Sequence, residues 1–242
     1  MKIFLAGIAS SQKIISEEQP KYILESFYYL KDWEIPIIKK CDSFLLDSGA
    51  FTFMNNKKDK KEINWYNYID KYVNFINKYD IENFFELDID VLVGYEKVKE
   101  YTKYIEEKTN KKCIPVWHRQ RGLEVWKELT KNYDYIALGG FAIKEIKKSE
   151  YKYIPKLLDI ARKNNCKVHG LGFTSMDNLQ KLKFYSVDST TWLAGSRFGI
   201  VHQFNGKKIK KYHSKEKRTV KDIDFHNYRQ WLKFQKYAEN GL

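Results

Sequence analysis

Cysteine is scarce in this chain. Cys41, Cys113 and Cys166 are its 3 cysteines in 242 residues, widely spaced and without a C-x-x-C pair. An odd, dispersed set excludes a disulfide framework and a zinc knuckle, and it points to a reducing compartment. His202, His213 and His226 show no metal-ligand spacing either, so no metal is expected. With 4 prolines and 12 glycines, no Pro/Gly/Ser-rich linker divides the sequence, and no repeat recurs at a fixed period. One domain spanning residues 1–242 is expected, with a basic C-terminal segment at 207–242. Long apolar runs are missing too: none approaches the roughly 20 residues of a membrane span. The apolar stretch Ile3–Ala9 in MKIFLAGIAS is a weak signal-peptide candidate without a convincing n-region and reads better as a first buried strand. A cytoplasmic protein with no membrane partner is the expectation.

What is abundant is aromatic and basic. Hydrophobic residues make up 43% and aromatics 16%, with 18 Tyr and 15 Phe, enough for a sizeable core. Basic residues number 44 against 31 acidic, a net charge of +13. Only 6 of the basic residues are Arg, so lysine dominates. An AT-rich genome explains abundant Lys, but codon bias alone does not unbalance Lys against Glu. A surface this basic suits a polyanion, whose counterions are released as phosphates are neutralised. The basic excess is densest in KKIKKYHSKEKRTVK (207–221), which reads as a phosphate-contacting strip or as a solvated loop.

Short apolar runs alternate with amphipathic ones. Strands are predicted at 2–8, 43–49, 83–89, 113–118, 135–140, 167–173, 184–189 and 199–204. Helices are predicted at 62–80, where Trp65, Ile69, Tyr72, Val73 and Ile76 share a face, and at 221–241, with Phe225, Tyr228 and Leu232 on one side and Gly241 as a stop. Thr174 and Asp177 form a capping box for a further helix. Eight strands alternating with helices predict a parallel α/β fold, and the count favours a (β/α)8 TIM barrel over an open doubly wound sheet.

The ends of those strands carry the chemistry. LLDSGAF places Asp47 at a carboxyl end, ELDID places Asp88 and Asp90, and SVDSTT places Asp188. Two more strands end in the glycine pairs of ALGGF and HGLGF, where a flat ligand can lie against backbone. A lone strand-end aspartate is an ordinary turn residue. Three of them at one face of a barrel form a carboxylate cluster around a glycine-floored slot. That suits glycosidic chemistry, in which one carboxylate attacks the anomeric carbon and another moves the proton. Crowding of like charges keeps such an acid partly protonated. Asp88 and Asp90 lie two apart, so on a regular strand they share a face and the pattern does not choose between them.

In order, LDSGAF, ELDID, ALGGF, HGLGFTSMDNL and SVDSTTWLAGSRFG resemble the tRNA-guanine transglycosylase superfamily over roughly residues 40–200. The resemblance is closest to the DpdA-type branch, which places 7-deazaguanine bases in phage or bacterial DNA. It implies a (β/α)8 barrel, no cofactor, and base exchange through a covalent sugar–enzyme intermediate. It also implies residue roles: Asp188 as nucleophile, Asp47 as general acid/base, and Phe51 stacking on the base. Asp88 would pair with the ring N–H and amine of a guanine-like base, Gly139 and Gly140 would offer backbone groups, and His169 would line the pocket. Arg197 would hold a backbone phosphate or merely cap a helix. Where the family carries a base-contacting glutamine, this chain has PVWHRQRG, so Trp117, His118 or Gln120 fills that place. The tRNA enzymes also have a C-terminal zinc site of three Cys and a His; no Cys follows Cys166 here. The implied partners are therefore DNA and a free 7-deazaguanine such as 7-cyano-7-deazaguanine. Exchange on tRNA, a retaining nucleoside or glycoside hydrolase, and a non-catalytic nucleic-acid-binding barrel are the alternatives.

Overall fold

The computed structural model describes residues 1–49, 52–53, 63–173, 175–213 and 220–241. Seven strands form one parallel sheet: β1 (Lys2–Ala6), β2 (Tyr22–Ser26), β3 (Ser43–Asp47), β4 (Val116–Trp117), β5 (Tyr135–Leu138), β6 (Lys167–Gly170) and β7 (Ser186–Ser189). Their order is β3-β2-β1-β7-β6-β5-β4. Helices α1 (Gln12–Glu17) and α2 (Ile35–Ile38) follow the first two strands. Helices α3 (Trp65–Tyr79), α4 (Asp90–Val93) and α5 (Tyr95–Thr109) lie between β3 and β4. Helix α6 (Gly122–Asn132) follows β4, α7 (Ile154–Lys163) follows β5 and α8 (Met176–Leu179) follows β6. Helices α9 (Ala194–Phe198) and α10 (Val220–Gly241) come after β7.

Strand alternation sorts the core into two clusters. On β1, Ile3 and Leu5 face the helices and join the large cluster that includes Ile69, Tyr72 and Ile76 of α3. Phe4 and Ala6 point the other way, into a small cluster with Leu24, Leu45, Phe85, Val116 and Ala137. Leu45 on β3 and Val116 on β4 come from opposite edges of the sheet, so the sheet curls until its two ends share one interior. Between those edges, residues 83–86 make single parallel bridges, Leu46 to Phe84 and Phe85 to Ile114. The result is an α/β domain with a curled parallel sheet inside and helices around it.

The two predicted helices form where their periodicity places them. The side chain of Asn64 accepts the Asn67 N–H at the start of α3, and the helix ends at Asp80 in a left-handed conformation. Helix α10 docks on β1, where Gln235 donates to the carbonyls of Ile3 and Tyr22 and accepts the Lys21 N–H. The capping box at Thr174 lies outside the described residues; Ser175 precedes α8.

Three strand expectations need correcting. The 83–89 run makes only single bridges, at Phe84 and Phe85, and no regular strand. The 199–204 run does not join the parallel sheet. It is β8 (Ile200–Phe204), paired antiparallel with β9 (Ile209–His213). The cause is Asn205-Gly206, a hairpin-forming dipeptide: the Asn205 side chain accepts the Lys207 and Lys208 N–H groups, and Gly206 sits at φ 88°. Conversely, β2 was not anticipated, because YILES offers only three apolar residues before a glutamate, too short a run to stand out.

Candidate active site

The carboxyl ends of the strands open onto a cavity of about 400 Å³, within the size range of small-molecule sites. Asp47 at the end of β3, Asp88 just past the 83–86 segment, His118 after β4, Gly140 after β5, Asp188 on β7 and Arg197 on α9 all line it. Four carboxylates face this one space, because Glu25 on β2 lines it as well.

Among the described residues, Asp188 is held through its Oδ1. That oxygen accepts the backbone N–H of Gly172 and lies 3.1 Å from His169 Nε2. Gly172 reaches it from the turn after β6, in a left-handed conformation at φ 71° that a residue with a Cβ resists. His169 does not line the cavity. It is fully buried beneath Asp188, against the rings of Phe4 and Phe85.

Asp47 is surrounded by protein, although the cavity still gives access to it. Burial, then the charges of Asp88 and Asp188, push its carboxyl up to about 7; the Gly49 N–H, which favours the ion, does not offset them. Asp47, Asp88 and Asp188 all line the same cavity.

Asp88 is paired with His118, whose Nε2 lies 2.9 Å from both carboxylate oxygens. The other ring nitrogen of His118 contacts Glu145 at 2.9 Å. Burial alone would lower the imidazole, but Asp88 and Glu145 outweigh it and hold His118 up at about 9. His118 is therefore an imidazolium at neutral pH. Gly139 stays out of the cavity and makes room for this ring: a Cβ there would lie 2.8 Å from His118 Cε1.

Asp90 stays near Asp88 but has its own partner. Its carboxylate accepts from Arg121 Nε at 2.8 Å, and Arg121 Nη1 donates to buried Glu86 at 2.7 Å. The segment before Asp88 and Asp90 is no regular strand, only single bridges at Phe84 and Phe85, and Asp90 already opens α4. Asp88, Asp90 and His118 could bring ligand atoms within 4.8 Å of one another. Asp90 is also paired with Arg121, and His118 with Glu145.

Of the three side chains offered for the PVWHRQRG position, only His118 reaches the cavity. Trp117 packs on Trp126 and donates to the Gly122 carbonyl, and Gln120 is exposed. Phe51 lies outside the described residues. Lys207, Lys208, Lys210 and Lys211 of the basic strip are exposed on the β8–β9 hairpin, with Lys208 paired to Asp177 at 2.9 Å; residues 214–219 lie outside the described residues.

Sequence reasoning missed Glu25, Tyr135 and Ser186. Glu25 is 2% exposed, and its two oxygens accept the N–H groups of Ala9 and Ser26. Its signal was available, since it too is an acid near the end of an apolar run. Ser186 and Tyr135 hydrogen-bond to each other at 2.6 Å behind His169, and no linear pattern announces that.

No protein-family model matches this chain, and no curated protein matches it either. Among the described residues, no helix is long and apolar enough to cross a membrane.

Proposed function

We propose that this chain is a base-exchange transglycosylase that replaces guanine in DNA with a 7-deazaguanine. In this reading it is a member of the tRNA-guanine transglycosylase superfamily, nearest the DpdA-type enzymes. The doubly bridged segment 83–86 is then the eighth strand of a (β/α)8 barrel. The observation that carries the reading is that Asp188 and Asp47, whose carboxyl is pushed up to about 7, line one cavity of about 400 Å³.

The chemistry follows from that pair. The target guanosine is unstacked and its base enters the cavity. An Asp188 oxygen bonds to the anomeric carbon as the bond to guanine breaks, with inversion, and Asp47 supplies the proton that guanine takes as it leaves. The incoming deazaguanine then gives its ring N–H proton to Asp47 and attacks the same carbon. Asp188 departs as a carboxylate, and configuration is retained overall. An acid poised near neutrality serves both proton transfers. Asp88, neutralised in part by His118, accepts from the ring N–H and amine of the base. Arg197 and the lysines of the β8–β9 hairpin meet the phosphates.

The test is uptake of radiolabelled guanine or 7-cyano-7-deazaguanine into DNA and, in parallel, into tRNA. Wild type should label DNA, and Asp188→Ala should not, while still binding DNA. Release of guanine without incorporation would make the chain a hydrolase instead. Unchanged exchange by Asp188→Ala would remove the nucleophile and the mechanism with it.

A further inference from the structure

The base-exchange mechanism leaves a buried hydrogen-bond chain beneath the nucleophile without a role. The Tyr135 hydroxyl contacts Ser186 Oγ at 2.6 Å, Ser186 Oγ contacts His169 Nδ1 at 2.7 Å, and His169 Nε2 contacts Asp188 Oδ1 at 3.1 Å. Ser186 and His169 are both fully buried, so neither exchanges these partners for water.

For a neutral His169 ring, the direction of the chain is set from the Asp188 end. Asp188 Oδ1, as a carboxylate oxygen, only accepts, so His169 Nε2 carries the proton facing it. A neutral ring then has a bare Nδ1, which accepts the Ser186 hydroxyl. With its one proton committed, Ser186 Oγ takes its other bond from the Tyr135 O–H. With the ring neutral, reversing any one link puts two donors or two acceptors face to face in a dry site, which is costly. At the far end, Oδ1 holds both the His169 and Gly172 donors, and among the described residues no donor is directed at Oδ2.

We propose that Tyr135 and Ser186 are positioning residues: their one-way chain of hydrogen bonds fixes His169 as the neutral Nε2–H tautomer and leaves Asp188 Oδ2 as the atom that attacks the sugar. Without the Ser186 proton, Nδ1 is open to protonation. The resulting imidazolium draws the charge of Asp188 to itself and blunts the nucleophile. Tyr135 acts one step back, since a Ser186 freed from it can turn and accept an Nδ1 proton instead.

This inference rests on the base-exchange reading for its kinetic arm but not for its spectroscopic one. In protein labelled with 15N-histidine, wild-type His169 should show a protonated Nε2 and a bare Nδ1 at pH 7. Ser186→Ala and Tyr135→Phe, both smaller than the residue they replace, should each give a protonated Nδ1. In single turnover, formation of the covalent Asp188–sugar adduct should slow about tenfold or more, with KM for the incoming base unchanged. A wild-type Nδ1 that carries a proton, or variants that alter neither the ring nor the rate, would overturn the proposal. A bare Nδ1 in a wild-type protein that exchanges no base in DNA or tRNA would leave the chain standing and remove the base-exchange reading instead.

Discussion

Replacing Asp47 by Asn tests the electrostatics of the cavity most directly. In the unfolded chain its carboxyl ionises near the ordinary 3.8, whereas the folded protein holds the proton until about 7. Between those values the folded state binds more protons than the unfolded one, so stability falls as pH rises through the window. The displacement corresponds to about 4 kcal/mol favouring the neutral acid at full burial, and about 2 to 4 kcal/mol once the water reached through the cavity is allowed for. Asn has the same shape and no charge to bury. Asp47→Asn should therefore leave stability unchanged at pH 4 and raise it at pH 8. For a chain of this size that is a Tm increase of about 5 to 10 °C. Scanning calorimetry of both proteins across pH 4 to 8 gives the curve, and carbon NMR of the Asp47 carboxyl gives its midpoint. Burial is the larger cause and Asp88 and Asp188 the next, so Asp188→Asn should lower that midpoint without restoring the ordinary value. A wild-type midpoint near 4, or a Tm difference that does not grow with pH, would refute the reasoning. The same substitution should abolish exchange, the usual trade of stability for a strained active-site charge.

Other predictions concern the frame around that carboxyl. His118 is raised from 6.5 to about 9, so its ion pairs stabilise the fold fully below about 6.5 and lose that contribution as pH rises through 9; His118→Asn should flatten the decline in Tm across this interval. Gly139→Ala forces a Cβ to within 2.8 Å of the His118 ring, and should cost about 1 to 3 kcal/mol in denaturant titration while weakening the His118–Asp88 contact. If the β8–β9 hairpin contacts phosphates, Lys210→Glu with Lys211→Glu should weaken DNA binding at low salt and reduce the slope of log K against log salt by about 2. A slope unaffected by the pair would clear the hairpin of phosphate contact.

Much of the arrangement was written in local order. Apolar runs that stop at Asp47 and Asp188 mark both the strand and the end of it that carries chemistry, because side-chain alternation and turn formation depend on a handful of neighbouring residues. The helical stripe Ile69, Tyr72, Val73 and Ile76 is equally local, and all four are buried. The eighth expected strand failed through a local signal as well: Asn205-Gly206 outweighed the apolar run before it and turned the chain back as a hairpin.

What sequence alone determined is the alternation of strand and helix, the acids at strand ends, and a net charge suited to polyanions. Only the tertiary structure decided which of those acids meet. Asp88 rather than Asp90 faces the cavity because the chain turns into α4 between them, and Glu25 joins them because β2 lies beside β1 and β3. The proton state of Asp47 was undecided too, since it depends on burial and on charges carried by residues 41 and 141 positions away in the chain. Covalent neighbours fix backbone conformation; a carboxyl group responds to whatever lies within a few ångströms, and packing alone chooses those groups.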